Sequence, residues 1–338
     1  MSSSEASAKM KVKAAPVITL SLVFILANFA GLCVSALQEG FYRGKCGVAD
    51  VELIVAGVVT TRFFMDPTIV AALLRLQFHD CFVNGCDASI LIDGSNSEKT
   101  AQQNHRLRGY DIIDEAKAIV EKVCPGVVSC ADLIAIATRD AVLLGGGGRY
   151  NVQTGRRDGL VSLAQNVSLL GPLASVPESI KLFAKKGLSA TDMVILLGAH
   201  SVGVTRCSSI KHRLYNYKKT GKPDPTIDPF LANLLRSICP QNSSVDNIVN
   251  LDQMPLGPLI LDNSYYKQLM VNRGILQIDQ ELATKPCTRK VVRKLATSLD
   301  FPAQFHAAMV KLGAIEVLTG KQGEVRRHCR ARNKPSSS

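Results

Sequence analysis

Apolar side chains recur every three or four positions along most of this chain, which is the period of an amphipathic α-helix. Residues 111–123 and 131–144 both show this pattern, and the second segment ends at the glycine run 145–148. The apolar stripe of the first segment consists of Ile112, Ile113, Ala116, Ile119, Val120 and Val123. These segments predict helices that bury one face.

Start signals mark other helices. The pair Asp66-Pro67 precedes the apolar segment 68–78, and proline suits a first helical position. Residues 189–192 form a capping-box pattern before Met193. Periodicity predicts further helices over residues 228–237, 263–271, 289–297 and 302–312. Strand-like runs are few and short, and no repeat or linker interrupts the pattern, so a mainly α architecture is predicted.

The first segment differs from the rest. Three lysines and one glutamate in residues 1–13 precede an apolar run over residues 14–36, which ends in small residues at Val34-Ser35-Ala36. This pattern predicts a signal peptide over residues 1–36, cleaved before Leu37, and one mature domain over residues 37–338. The alternative is an uncleaved membrane anchor, since 23 apolar residues are long enough to span a bilayer.

Composition supports the secreted interpretation. The chain has 338 residues and ten cysteines, a high count for a reducing cytosol, and 46% hydrophobic residues exclude a disordered chain. Cleavage would remove Cys33 and leave nine cysteines, so one thiol should remain unpaired. Two glycosylation tripeptides, at Asn166 and Asn242, fit the same extracellular route.

The charge is basic but spread along the chain. Removing residues 1–36 takes the formal net charge from +12 to +10, and no basic run is longer than a few residues. Tryptophan is absent and aromatics make up only 5%, which argues against base stacking and a nucleic-acid partner. We expect at most a weak attraction to anionic wall polysaccharides.

Arg75 and His79 are the first candidate catalytic pair. They lie four residues apart, so on a helix they share one face and can act on a single ligand. A neighbouring arginine favours the neutral imidazole, which is the form that a general base needs.

The loop after His79 is a candidate calcium site. Asp80, Asp87 and Ser89 supply hard oxygen atoms there, and a bond between Cys81 and Cys86 could close the loop. The alternative is an exposed acidic loop beside a surface histidine.

Two motifs resemble one family. RLQFHDCFVNGCDASILID, at residues 75–93, resembles the distal motif of class III plant peroxidases, the secreted haem peroxidases, and LLGAHSVGVTRC, at residues 196–207, resembles their second motif. Order and spacing match across residues 40–333. The resemblance implies a two-lobed helical haem-peroxidase fold with haem b between the distal and proximal lobes. It further implies that His200 is the axial iron ligand and that Asp279 accepts its other ring proton.

On the open face of the haem, the resemblance gives each residue a role. His79 would move the peroxide proton, Arg75 would stabilise developing charge, and Asn104 would fix the His79 tautomer. Phe78 would shield the haem edge, so that donors react at the exposed side. Leu170 stands where the family has a proline whose carbonyl faces aromatic donors, which leaves donor preference open.

The family binds two calcium ions. The distal set falls on Asp80, the Val83 and Gly85 carbonyls, Asp87, Ser89 and, through water, Glu98. The proximal set falls on Ser201, Asp252, the Ile260 carbonyl and Asp262. In the proximal loop, Asp252 and Asp262 are two residues farther apart than in the family motif, and the family's threonine is absent. The proximal ion is therefore less well supported than the distal one.

The family's disulfide pairing accounts for eight of the nine mature cysteines. The implied pairs are Cys46–Cys124, Cys81–Cys86, Cys130–Cys329 and Cys207–Cys239. Cys287 is then the free thiol. Sequence alone could not select these pairs, because eight cysteines allow about 105 connectivities.

Together these features predict a secreted, monomeric haem peroxidase that reduces hydrogen peroxide and oxidises phenolic donors. The alternative from a different class is a wall protein of the same fold, stabilised by calcium and disulfides, that has lost catalysis. The joint presence of Arg75, His79, Asn104, His200 and Asp279 argues against that alternative.

Overall fold

The structure is a computed structural model that describes residues 37–171, 173–255 and 257–334. The predicted signal peptide lies outside the described residues. Within them, no helix is long and apolar enough to cross a membrane.

The helices are α1 (Val51–Met65), α2 (Ile69–Cys81), α3 (Tyr110–Val123), α4 (Cys130–Val142), α5 (Val176–Lys185), α6 (Ala190–Leu197), α7 (Lys211–Tyr215), α8 (Pro229–Ile238), α9 (Ser264–Met270), α10 (Gln277–Thr284), α11 (Pro286–Thr297) and α12 (Phe301–Gly313).

Helix α4 is the centre of the first hydrophobic core. All of its residues are buried, and α1, α2 and α3 pack around it. This explains why its sequence is apolar on nearly every side and why its few polar residues, such as Asp132 and Arg139, are paired.

Helix α2 belongs to two cores. Leu73 and Leu76 face the α4 core, whereas Val70 and Leu74 face a second core that includes residues of α6, α9, α11 and α12. Because α2 carries Arg75 and His79, both cores hold the candidate catalytic pair in place. A smaller third cluster lies beneath α7 and α8.

Side-chain caps fix several helix starts. Ser129 accepts a hydrogen bond from the Asp132 amide at the start of α4, and Asp50 caps α1. Ser175 and Ser189 form capping boxes with Glu178 and Asp192, as the sequence predicts for Ser189. Each such cap stabilises its helix by about 1 kcal/mol.

Four disulfides cross-link the chain. They are the same four pairs that the family resemblance implies. Cys287 is free and exposed. Extended structure is minor among the described residues: β1 (Gln38–Glu39) pairs with β2 (Gln153–Thr154), and β3 (Val204–Arg206) pairs with β4 (Ile248–Asn250), both antiparallel.

The mainly α prediction is confirmed, with differences in detail. Ile119 and Val123 of the predicted α3 stripe are exposed, by 37% and 50%, because the helix lies at the surface and only part of the stripe reaches the core. Helix α2 begins at Ile69, two residues after Pro67, and α11 begins at Pro286, three residues before its predicted start. The pattern did not predict α1, α5, α7 or α10.

Candidate active site

Arg75 and His79 lie one turn apart on the same face of α2. The Arg75 Nε donates to His79 Nε2 at 3.2 Å, and Arg75 Nη2 donates to the Gln103 carbonyl at 3.1 Å. The second contact fixes the guanidinium beside the imidazole. Gln103 takes part only through its backbone, so no side-chain pattern could have identified it.

The imidazole of His79 is held in one orientation. Its Nδ1 lies 2.7 Å from Asn104 Oδ1, and Asn104 Nδ2 donates to the Glu98 carbonyl at 2.7 Å. Because the amide nitrogen is engaged with a carbonyl, the amide oxygen faces the ring, which places the imidazole proton on Nδ1 and leaves Nε2 as the base. Burial and the Arg75 charge lower the pKa of His79 to about 4. The imidazole is therefore neutral at neutral pH.

His200 lies in a single helical turn, Gly198–Ser201, directly after α6. Its Nδ1 is 2.8 Å from Asp279 Oδ1, in the first turn of α10. Asp279 is completely buried, and its Oδ2 accepts the Leu276 amide hydrogen at 3.0 Å. The carboxylate therefore holds the ring while Nε2 of His200 makes no hydrogen bond within the described part of the chain.

Tyr265 is a functional residue that the sequence reasoning missed. Its buried hydroxyl donates to Asp279 Oδ1 at 2.9 Å, the same oxygen that faces His200. Fourteen residues separate Tyr265 from Asp279, and it lies in the apolar pattern of α9, so no local signal distinguishes it from a core tyrosine.

A close approach brings the two histidine segments together. Gly203 has φ +86°, and a Cβ there would lie 2.6 Å from the Cβ of Ala71 on α2. Only glycine allows this contact without strain. The segment that follows His200 thus lies directly against the helix that carries His79.

The side chains of this site fit a haem. Each histidine has its Nδ1 held by an oxygen acceptor, and His200 presents a free Nε2 of the kind that ligates iron. His79, beside a fixed arginine, is suited to proton transfer rather than ligation. Phe78 is half-buried on the same helix, with its ring centroid 5.8 Å from that of His79 and 4.3 Å from that of Phe82.

The distal calcium residues form a buried acidic cluster. Asp80, Asp87 and Glu98 are buried close enough to repel one another, and burial is the main cause that raises their pKa values, to about 6 for Asp87 and about 8 for Glu98. Asp80 Oδ1, Glu98 Oε2 and Ser89 Oγ are buried and find no hydrogen-bond partner among the described residues. Buried oxygens without partners are costly, so this cluster fits a bound divalent cation.

Three other residues support the cluster. Asn84 Nδ2 donates to Glu98 Oε1 at 2.8 Å, and the buried Arg326 donates to the Asp87 carbonyl at 3.1 Å. The Val83 carbonyl, a predicted calcium ligand, accepts a hydrogen bond from Lys186 Nζ at 3.1 Å. The sequence reasoning missed Arg326, which lies more than 200 residues from Asp87 in the chain.

The proximal calcium residues lie together but are engaged with one another. Asp252 is buried, its Oδ1 accepts the Met254 amide hydrogen at 2.8 Å, and its Oδ2 accepts a short hydrogen bond from the Ser264 hydroxyl. Asp262 Oδ1 accepts the Ser264 amide hydrogen at 2.7 Å, and Ser201 Oγ accepts the Asp262 amide hydrogen at 3.3 Å. Within the described ranges, none of these oxygens is both buried and without a partner. Unlike the distal set, the proximal set therefore does not fit a bound cation.

The remaining predicted residues lie at the surface. Leu170 is 41% exposed, Ile260 is 38% exposed and Asn242 is exposed. Asn166 is half-buried, and its Nδ2 donates to Asn84 Oδ1 at 3.3 Å.

One histidine is held by a carboxylate, and the other is neutral and lies beside an arginine. This is the arrangement that the resemblance to haem peroxidases predicts. Residues 55–298 match the peroxidase family model. Peroxidase 60 of Arabidopsis thaliana is 48% identical, over 95% of this chain and 98% of its own length. Peroxidase 57 of the same plant is 48% identical over 93% and 98%, and peroxidase N1 of Nicotiana tabacum is 43% identical over 88% and 90%.

The chain therefore belongs to the class III plant peroxidases and is a peroxidase. Membership implies haem and calcium in general, with hydrogen peroxide and a reducing donor as substrates.

Proposed function

We propose that this chain is a secreted, monomeric haem b peroxidase that oxidises phenolic donors by successive one-electron steps. The observation that carries the proposal is the pair of fixed imidazoles, His79 held by Asn104 and His200 held by Asp279. When bound, the haem accepts the two oxidising equivalents of hydrogen peroxide and passes them on singly.

On the distal side, His79 Nε2 takes a proton from hydrogen peroxide and returns it to the departing oxygen, which leaves as water. The low pKa of His79 keeps this nitrogen unprotonated, so that it can accept the proton. Arg75 stabilises the negative charge that develops as the oxygen–oxygen bond breaks, because its guanidinium is already fixed by the Gln103 carbonyl.

On the proximal side, His200 would hold the iron through Nε2. Asp279 accepts the hydrogen bond from Nδ1 and gives the ring imidazolate character, which favours higher oxidation states of the metal. Tyr265 limits this effect, since its hydroxyl shares the same carboxylate oxygen.

Phe78 would shield one edge of the haem, so that donors would be oxidised at the edge left open. Leu170 is exposed, so its side chain is accessible to an aromatic donor. We take phenols as the donors because one-electron oxidation gives them stabilised radicals.

We propose one calcium ion rather than two, held by the distal set. Its ligands are the carboxylates of Asp80 and Asp87, Ser89 Oγ and the Val83 and Gly85 carbonyls, with Glu98 reaching the ion through water. The unpartnered oxygens of Asp80 and Ser89 support this site. The internal hydrogen bonds of Asp252 and Ser264 argue against a second ion.

The competing function is a wall protein that retains the fold without turnover. The test is to purify the secreted protein with haem and measure the oxidation of a simple phenol with and without hydrogen peroxide. We expect peroxide-dependent turnover that is lost in the His200→Ala variant together with bound haem. A haem-loaded wild-type protein without turnover would favour the structural role.

A further inference from the structure

The end of helix α5 fixes the backbone position of Lys186. The Leu188 amide donates to the Phe183 carbonyl at 3.0 Å, and the Gly187 amide donates to the Ala184 carbonyl at the same distance. These two hydrogen bonds form a Schellman motif around Lys186, which is the C-terminal cap of the helix. Phe183 and Leu188 are both buried in the second core. Hydrogen bonds and packing therefore hold Lys186 at one place in the fold.

The side chain of Lys186 reaches the distal calcium loop. Its Nζ donates to the Val83 carbonyl at 3.1 Å and pairs with Glu316 Oε2 at 2.6 Å. Only 12% of the Lys186 side chain is exposed, so solvent screens its charge poorly. This cation thus lies on an oxygen that the proposed calcium ion would also use.

Glu316 follows α12 and contacts the same loop. The Cys86 amide donates to the Ile315 carbonyl at 3.0 Å, and Gly85 lies so close to the Glu316 carbonyl that no side chain would fit between them. The Glu316 side chain is 52% exposed. Its carboxylate therefore offsets only part of the Lys186 charge, because solvent weakens the interaction.

Arg326, a second buried cation beside the cluster, is placed differently. Its Nη2 donates to the backbone carbonyl of Asp87 at 3.1 Å. That carbonyl is not a proposed calcium ligand, since Asp87 would bind the ion through its carboxylate. Arg326 can therefore remain in place when calcium binds, whereas Lys186 would share a ligand oxygen with the ion.

We propose that Lys186 competes with calcium for the Val83 carbonyl and thereby sets the affinity of the distal site. This inference rests on the distal calcium ion of the proposed function. Without the ion, Lys186 gives the Val83 carbonyl a hydrogen-bond donor. With the ion, two cations would share one carbonyl oxygen, and their repulsion would lower the affinity for calcium. The ion pair with Glu316 would reduce that repulsion.

A purely structural role for Lys186 predicts the opposite sign. If the side chain only held the loop against α5, its removal would loosen the loop and weaken calcium binding. If it competes with calcium, its removal strengthens calcium binding. The direction of the change in affinity therefore decides between the two roles.

The first test measures the dissociation constant of calcium, by calorimetric titration of the haem-loaded, calcium-depleted protein with calcium chloride. Lys186→Met removes the ammonium group but keeps a long side chain. The control Lys185→Met removes the same charge from the preceding residue, which is exposed. We expect the dissociation constant to fall about tenfold in Lys186→Met and to stay within about twofold of wild type in the control.

Glu316→Gln is a second variant with the opposite expected effect. It leaves the Lys186 charge without its partner, so the dissociation constant should rise about threefold. Because Glu316 is half exposed, this variant tests the proposal even if Lys186→Met does not fold. An unchanged or higher dissociation constant in folded Lys186→Met, an equal fall in Lys185→Met, or tighter binding in Glu316→Gln would each overturn the proposal.

Denaturant unfolding gives an independent measurement of the same competition. Calcium that binds the folded protein more tightly also stabilises it more. The ratio of the folding equilibrium constants with and without saturating calcium should therefore be about tenfold larger in Lys186→Met than in wild type. Equal ratios in the two proteins would contradict the competition.

Two outcomes separate this inference from the proposed function. Calcium bound with equal affinity by wild type and Lys186→Met would remove the role of Lys186 and leave the site. A wild-type protein that binds no calcium would remove the site and this inference with it. Turnover of a soluble phenol, measured on the same samples, tests the proposed catalysis separately.

Discussion

Asp279 is completely buried and accepts three hydrogen bonds, from His200, Tyr265 and the Leu276 amide. A buried carboxylate in this setting is stable only because each oxygen has a donor. The balance between the histidine and tyrosine donors sets how much negative charge reaches the imidazole. Through this balance, the Tyr265 hydroxyl would influence the electronic properties of an iron bound by His200.

We predict that Tyr265→Phe lowers the ferric–ferrous reduction potential of the bound haem. Without the hydroxyl, Asp279 Oδ1 carries more charge towards His200 and favours the ferric state. The variant should also lose about 1.5–3 kcal/mol of stability, because a hydrogen bond to a charged group is removed. Spectroelectrochemistry and denaturant unfolding measure the two effects.

The matched control is Tyr266→Phe. Tyr266 is the adjacent buried tyrosine, and its hydroxyl donates to the Val194 and Ile195 carbonyls instead of a carboxylate. The Tyr266→Phe variant should be less stable than wild type, but the ferric–ferrous reduction potential of its bound haem should not change. Equal shifts of potential in both variants would contradict the role of Tyr265.

Some residues of the site could be predicted from the sequence, and others could be found only in the folded structure. Arg75 and His79 could be found because their roles depend on one helical turn, which is a property of local sequence. Tyr265 and Arg326 act over tertiary distances, and their residue types are common in cores and on surfaces. Their contributions appear only once folding brings them to Asp279 and Asp87.

At the scale of elements, the two acidic loops differ in how their oxygens are satisfied. Among the described residues, the distal loop leaves buried oxygens of Asp80, Ser89 and Glu98 without partners, whereas the loop from Asp252 to Asp262 uses Ser264 as an internal donor. A bound cation would stabilise the first arrangement and would have to displace hydrogen bonds in the second.

We therefore predict one tightly bound calcium ion per chain, measured by elemental analysis after gel filtration. Asp87→Ala should reduce the ratio to zero, and the control Asp252→Ala should leave it at one. Chelation should lower the unfolding free energy by about 2–4 kcal/mol, as expected for loss of a tight ligand. Two ions in the wild type, or loss of the ion in the Asp252 variant alone, would contradict this assignment.

Most of the helices with an amphipathic stripe were predictable from the sequence, although α5 was missed, and α1 was not predictable. Its sequence is rich in valine and threonine, which favour strands, and contains Gly57. Burial of Val51, Val55, Val58 and Val59 against α4 outweighs these weak local preferences. The Asp50 cap marks its start, but a single cap residue is too common to identify a helix alone.

On the scale of the whole molecule, the disulfides connect distant parts of the chain. Cys130–Cys329 closes 199 residues and joins the start of α4 to the C-terminal segment. Such bonds form and persist in oxidising compartments, which is consistent with secretion. The pairing could be predicted only through the family, because spacing alone leaves many connectivities open.

We predict that the secreted protein begins at Leu37. N-terminal sequencing of material from the culture medium of a plant-cell host tests this directly. Cleavage would remove the apolar run over residues 14–36 and with it the only segment proposed as an anchor. A secreted product that begins at Met1, or full-length chain recovered with membranes, would contradict the signal-peptide prediction.

The central claim is that His79 is the base that activates hydrogen peroxide. The most direct measurement is the stopped-flow rate constant for the haem absorbance change after hydrogen peroxide is mixed with wild type, His79→Leu and the control His328→Leu, an exposed histidine. The account predicts that His79→Leu still binds haem but reacts about 10²–10⁴-fold more slowly, while the control reacts like wild type. A His79→Leu rate constant within a few-fold of wild type, with haem bound, would contradict the account.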